Sequence, residues 1–181
     1  MKNIKWNIDP SQSEITFSVR KLLITTVKGD FKKFKGELET ESENFTNLRN
    51  LKFEARVESL KTDDEKRDEH LKSADFFNMD AYPNLSFKAK KFTTGESKLE
   101  GELSIRNITK AIILDVEFLG ISSNNNKEAS AGLKISGKVN RRDFGLTWNG
   151  KNEAGEIIVG DEIKIKVQVS FIKQAVLVEE L

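Results

Sequence analysis

The chain has no cysteine among its 181 residues. That excludes a disulfide framework, a thiolate metal site and a cysteine nucleophile, and it fits a reducing compartment. Histidine occurs once, at His70, a poor start towards the three or more ligands a zinc site generally needs. Carboxylates alone could hold a hard cation, but the EF-hand spacing is missing. No metal and no cofactor is expected. Long apolar runs are also missing. No stretch approaches the roughly 20 apolar residues of a membrane-spanning helix, and the stretch Met1-Lys2-Asn3-Ile4-Lys5-Trp6-Asn7 lacks the apolar run of a secretory signal. The expected location is the cytoplasm, with a periplasmic protein without its leader as the alternative. Neither sign of charge dominates: 30 Lys and Arg face 29 Asp and Glu, for a formal net charge of +1. Nucleic-acid binders usually show a net basic face, so no nucleic-acid partner is expected.

What is present is period-two alternation almost from end to end, the mark of strands with one buried face. Ile15, Phe17 and Val19 alternate with Glu14, Thr16 and Ser18. Leu51, Phe53, Ala55 and Val57 follow the same rule, as do Leu85, Phe87 and Ala89, then Leu99, Leu103 and Ile105. Ile112, Leu114, Val116 and Phe118 alternate with Ala111, Ile113, Asp115 and Glu117. Ala131, Leu133, Ile135 and Val139 come next. Last and cleanest are Ile163, Ile165, Val167, Val169 and Phe171, with Lys164, Lys166, Gln168 and Ser170 between them. In 22–40 the spacing of Phe31 and Phe34 breaks the alternation unless a bulge or turn intervenes. With Ile4–Ile8 the count is about eight or nine strands.

One segment departs from this pattern. Thr62-Asp63-Asp64-Glu65 opens a run of helix formers with acids in the first turn, and Thr62 or Asp63 is a plausible N-cap. Tyr82-Pro83 terminates the run, so a short helical segment is expected near residues 64–80, across one end of a barrel. Helical patterns between most strand pairs, which a parallel βαβ fold would require, are missing. The fold class is therefore all-β and antiparallel, a single domain over 1–181. Twelve Phe stand beside two Trp and one Tyr, an apolar interior that suits a filled barrel, a hollow barrel or a sandwich equally well.

A set of stretches, in order, resembles the YceI-like family of polyisoprenoid-binding, lipocalin-like proteins. It begins with Trp6-Asn7-Ile8-Asp9-Pro10-Ser11-Gln12-Ser13 through Arg20, and continues with Val27-Lys28-Gly29-Asp30-Phe31. The most distinctive stretch is Arg67-Asp68-Glu69-His70-Leu71-Lys72-Ser73-Ala74-Asp75-Phe76-Phe77 with Tyr82-Pro83. Leu99-Glu100-Gly101-Glu102-Leu103-Ser104-Ile105, Asn140-Arg141-Arg142-Asp143-Phe144-Gly145-Leu146-Thr147-Trp148-Asn149 and Gly160-Asp161-Glu162-Ile163 complete it. The match covers about residues 6–172, leaving a C-terminal extension, 173–181. Gln12 and Lys21 stand where the family pattern leads one to expect histidine. The resemblance implies an extended antiparallel lipocalin-like β-barrel of about eight strands. Its lumen would enclose a long-chain amphiphile such as an isoprenoid quinone or polyprenyl pyrophosphate, with no catalytic residues. The lining expected from inward pattern and family match is Phe17, Phe31, Phe53, Phe87, Leu103, Phe118, Leu133, Trp148 and Ile165.

Other motifs have two readings each. His70 and Ser73, one turn apart, could serve an enzyme acting on lipid at the barrel mouth, or their segment could be a cap-and-salt-bridge network pinning a helix. Arg141 and Arg142 could face an anionic group at the end of a greasy channel, or belong to a solvated turn with Trp148 packed below it. Lys28, Lys32, Lys33 and Lys35 could make transient contact with an anionic membrane, or form a solvated strand face. Asp143-Phe144-Gly145 matches a kinase triplet by chance, without the other kinase motifs. A further rival to the lipid carrier is a filled, stress-related barrel that binds a protein partner. The run Ala175-Val176-Leu177-Val178 leads to the expectation of a homodimer.

Overall fold

The computed structural model describes residues 3–21, 24–93, 95–123, 128–150 and 159–174. These residues form eleven strands: β1 (Ile4–Ile8), β2 (Glu14–Lys21), β3 (Thr25–Phe31), β4 (Phe34–Thr40), β5 (Leu48–Arg56), β6 (Leu60–Lys61), β7 (Asn84–Phe92), β8 (Lys98–Ile105), β9 (Ile108–Ser123), β10 (Ala129–Asn140) and β11 (Val159–Lys173). An α-helix, α1 (Glu65–Lys72), lies between β6 and β7.

The first six strands are three long strands, each interrupted once. β1 pairs with β4 (Trp6 opposite Leu38) and β2 with β3 (Phe17 opposite Gly29), so 4–21 and 25–40 form one kinked antiparallel hairpin. A 3₁₀ turn at Pro10–Gln12, capped by Asp9, interrupts the first strand, and a bend at Lys32 and Lys33 interrupts the second. That bend explains the spacing of Phe31 and Phe34: both pack on the core because alternation restarts between them. The third strand is β5 plus β6, pairing with β4 and β3. β7 to β10 continue the ladder, and β11 closes it onto both β2 and β1. The result is a closed eight-stranded antiparallel barrel, whose closure removes exposed sheet edges.

The two ends differ. At one, Trp6 and Leu38 are sealed from solvent, and Trp6 Nε1 donates to Thr40 Oγ1 at 2.8 Å. The loop between β4 and β5 turns inward there. Its Phe45, at φ 60° and fully buried, stands edge-on to Trp6 (5.0 Å), stacks on Phe118 (5.5 Å) and leans on Phe171 (6.1 Å). Phe45 is the plug of this end. At the other end α1 and the turns after it lie near the mouth.

Helix α1 spans eight residues, shorter than the segment expected over 64–80. Its N-cap is Asp64, whose side chain accepts from the Arg67 N–H, rather than Thr62 or Asp63. Thr62 is otherwise engaged: its N–H and hydroxyl donate to Asp68 Oδ1 at 2.9 and 2.5 Å, and Arg67 donates to its Oγ1 and carbonyl oxygen. Asp63 holds a left-handed φ of 68°. Beyond Lys72 the chain runs in turns, tied back by Phe77 N–H to Leu71 O and Met79 N–H to Lys72 O.

Candidate functional site

Because strand side chains alternate faces, the inward positions meet along the barrel axis. In the plugged half they fill it. In the other half they surround a cavity of about 510 Å³, within the range of small-molecule sites, roughly 300–1,000 Å³. The wall is built by Ile15, Phe17 and Val19 of β2, Phe31 of β3, Phe53 of β5, Phe87 of β7, Leu103 of β8, Ile112 and Leu114 of β9, and Ile163, Ile165 and Val167 of β11. Phe17, Val19, Ile163, Ile165 and Val167 point inward yet are only half-buried, because they face open lumen rather than a packed neighbour. Gly29, opposite Phe17, lets that ring come close against β3: a Cβ on Gly29 would collide with it.

Charge enters the wall in few places. Arg20, Lys21, Asp64, Lys66 and Arg67 line it, from the end of β2 and from the start of α1, together with Arg141 after β10. Trp148, His70 and Phe76 form an aromatic cluster at the same cavity: His70 stands edge-on to Trp148 at 4.5 Å and to Phe76 at 5.1 Å. His70 Nε2 also meets Asp75 Oδ2 at 2.9 Å.

Seven residues of the expected lining are on the cavity wall: Phe17, Phe31, Phe53, Phe87, Leu103, Trp148 and Ile165. Phe118 and Leu133 are not. They are cross-strand partners in the plugged half, where Phe118 stacks on Phe45 and Leu133 is 1% exposed. Their inward pattern is genuine, but the plug fills the space in front of them. Phe45 itself carried no sequence signal, since it lies in an irregular loop.

The polar motifs resolve into structural roles. Ser73 Oγ donates to the His70 carbonyl oxygen at 2.6 Å, capping the helix, and makes no hydrogen bond with the imidazole. A nucleophile–base pair, which Ser–His catalysis requires, is therefore not formed by these two. Arg141 is 2% exposed and surrounded by acceptors: Gly160 O at 2.9 Å, Leu146 O at 2.6 Å, Trp148 O at 2.8 Å and Asn149 Oδ1 at 2.7 Å, with Asp161 at 3.3 Å. Burial lowers its pKa from the ordinary guanidinium value, and Asp161 opposes that. It holds the loop that presents Trp148. Arg142 bonds Asn149 and Asp161 from the outside. In the basic cluster, Lys32 pairs with Asp30, Lys33 with Glu58 and Lys35 with Glu54, while Lys28 is exposed on the same hairpin. Among the described residues no group of three His, Cys, Asp or Glu could hold a metal ion. The apolar tail, 175–181, lies outside the described residues.

An antiparallel barrel plugged at one end and hollow at the other, with an apolar wall and a charged rim, is a lipocalin-like fold with a cavity of small-molecule size. The chain belongs to the family of the YceI-like domain, whose family model matches residues 6–171. A UPF0312 protein of Staphylococcus aureus (strain N315) is 32% identical over 169 residues, covering 92% of this chain and 96% of that one. The crystal structure of the Campylobacter jejuni YCEI protein superposes with a TM-score of 0.72 at 26% identity, over 86% of this chain and 90% of the other. A polyisoprenoid binding domain from Saccharophagus degradans shares the fold, with a TM-score of 0.71 at 12% identity over 93% and 98% of the two chains.

Proposed function

We propose that this protein takes a long-chain apolar amphiphile of the polyisoprenoid class, an isoprenoid quinone or a polyprenyl pyrophosphate, into its lumen and sequesters or carries it without chemical change. The observation that carries this reading is the cavity of about 510 Å³, walled by aliphatic and phenyl side chains, with charge gathered at the rim. A tail inside gains about 0.8 kcal/mol per buried methylene-sized group. A tail of about three isoprene units would thus gain about 12 kcal/mol, which offsets most of the roughly 4–15 kcal/mol cost of association. Apolar contact therefore supplies the larger part of the binding free energy. The lining proposed to touch the tail is Phe17, Phe31, Phe53, Phe87, Leu103, Trp148 and Ile165. The polyisoprenoid binding named for the Saccharophagus degradans domain supports the choice of ligand class.

The test is displacement. Delipidated protein is loaded with a fluorescent apolar probe, then titrated with geranylgeranyl pyrophosphate and separately with a short-chain phosphate ester. The long-chain compound should displace the probe at one per chain and the short one should not. Ile165→Lys, which puts a charge on the wall, should abolish probe uptake while the barrel stays folded. Probe uptake unchanged in Ile165→Lys, or displacement by the short-chain compound alone, would overturn the reading.

A further inference from the structure

We infer that the β2–β3 hairpin end, at the cavity rim, is a docking surface for an anionic lipid bilayer. Ile24, in the turn between the two strands, is 94% exposed, the most exposed large apolar side chain among the described residues. In the sequence it follows two leucines. The hairpin is at the mouth, because Arg20, Lys21 and Val27, on either side of the turn, all line the cavity.

The charges around Ile24 select the partner. Arg20 and Lys21 are exposed, and so is Lys66 on α1. Among the described residues none of these three forms an ion pair within 4 Å. Asp64, the one acid on the wall among the described residues, is the N-cap of α1 and feels Lys21 only as its weakest neighbour. The acids at the start of β11 are already engaged, Asp161 with Arg141 and Arg142 and Glu162 with Lys138. An apolar tip flanked by unpaired cations is the pairing that holds peripheral proteins on anionic membranes, where each basic residue near the surface adds to binding. A second copy fits less well. A two-fold contact brings the same patch against itself, which would set Arg20 and Lys21 against their own like charges. Docked this way, the mouth faces the bilayer, and a tail can pass between membrane and lumen without crossing water. That purpose rests on the proposed lipid binding; the docking itself does not.

The experiment is co-sedimentation of the full chain with phosphatidylcholine vesicles, with and without about one quarter phosphatidylglycerol. Binding is expected to the anionic vesicles only, and to weaken as salt is raised. Ile24→Asp should lower the partition coefficient by about five- to tenfold, and the double variant Arg20→Gln, Lys21→Gln by about thirtyfold. Their melting temperatures should be unchanged, since these side chains are exposed. No sedimentation with either vesicle would overturn the inference. So would sedimentation indifferent to both variants, which would put the membrane contact elsewhere, or loss of a dimer in Ile24→Asp by light scattering, which would assign the tip to a second copy. Lipid extracted from the soluble fraction reports separately on the lumen, so failure of docking and failure of lipid binding are told apart.

Discussion

His70 and Trp148 meet edge to face, ring centroids 4.5 Å apart and planes at 89°, and this contact joins α1 to the loop that follows β10. The helix otherwise offers one apolar side chain, Leu71, partly buried against the core, and its one fully buried residue is Asp68. It is held by the Asp68–Thr62–Arg67 hydrogen bonds at its start and by the His70, Phe76 and Trp148 rings towards its end.

His70→Ala should therefore lower stability and leave lipid binding largely intact. Losing an edge-to-face aromatic pair costs about 0.5–1.5 kcal/mol, and for a chain of this size each kcal/mol is worth about 2–4 °C in Tm. A thermal melt together with a probe-binding curve checks it. An unchanged Tm with binding abolished would make His70 a ligand-contacting group.

Arg141→Lys should be severely destabilising, because an ammonium has three donors and no planar fork with which to reach Gly160, Leu146, Trp148 and Asn149 together. Breaking a buried charged network typically costs about 3–5 kcal/mol. Chemical denaturation measures the loss. Trp148 should also lose its fixed environment, visible as a weaker near-ultraviolet circular dichroism signal.

Much of the barrel was legible in the sequence, for a simple reason. A strand alternates apolar and polar residues whenever one face is covered, so β5, β9 and β11 announced themselves through Phe53, Leu114 and Ile165. The same rule is blind to what the covered face meets. Phe118 and Ile165 carry the same inward signal, yet one packs against a ring and the other faces open space. The difference is made by Phe45, which lies in a turn without periodicity and reaches the axis only through a left-handed backbone. The rim was hidden likewise. Arg20 and Lys21 end an alternating strand, and only closure of the barrel brings them to the mouth beside α1. Arg141 looked exposed because its partners are mostly carbonyl oxygens, which no side-chain pattern reveals.

Phe45→Ala should remove the plug. Truncating a buried Phe costs about 3–5 kcal/mol through lost burial and the cavity left behind, and here that cavity lies against Trp6 and Phe118. Denaturant melts should show the loss, and Trp6 should become accessible to acrylamide quenching.

Acid should loosen α1 before the barrel. The backbone hydrogen bond from Arg67 holds the Asp64 carboxyl below its ordinary pKa of 3.8. A depressed folded-state pKa stabilises the helix start fully above that ordinary value, and the contribution fades as pH falls through the lower, folded one. Amide exchange at Arg67 should accelerate in that window, while exchange in β11 stays slow. Asp64→Asn keeps a capping acceptor without a titrating group, and should remove the pH dependence.

If the hollow half of the barrel holds a long-chain lipid, that lipid should travel with the protein. Protein purified without detergent can be extracted with organic solvent and the extract analysed by mass spectrometry, alongside Ile165→Lys purified the same way. A long-chain isoprenoid should be recovered at close to one per wild-type chain and be absent from the variant. A clean wild-type extract, or the same lipid recovered equally from both proteins, would contradict lipid binding in the lumen.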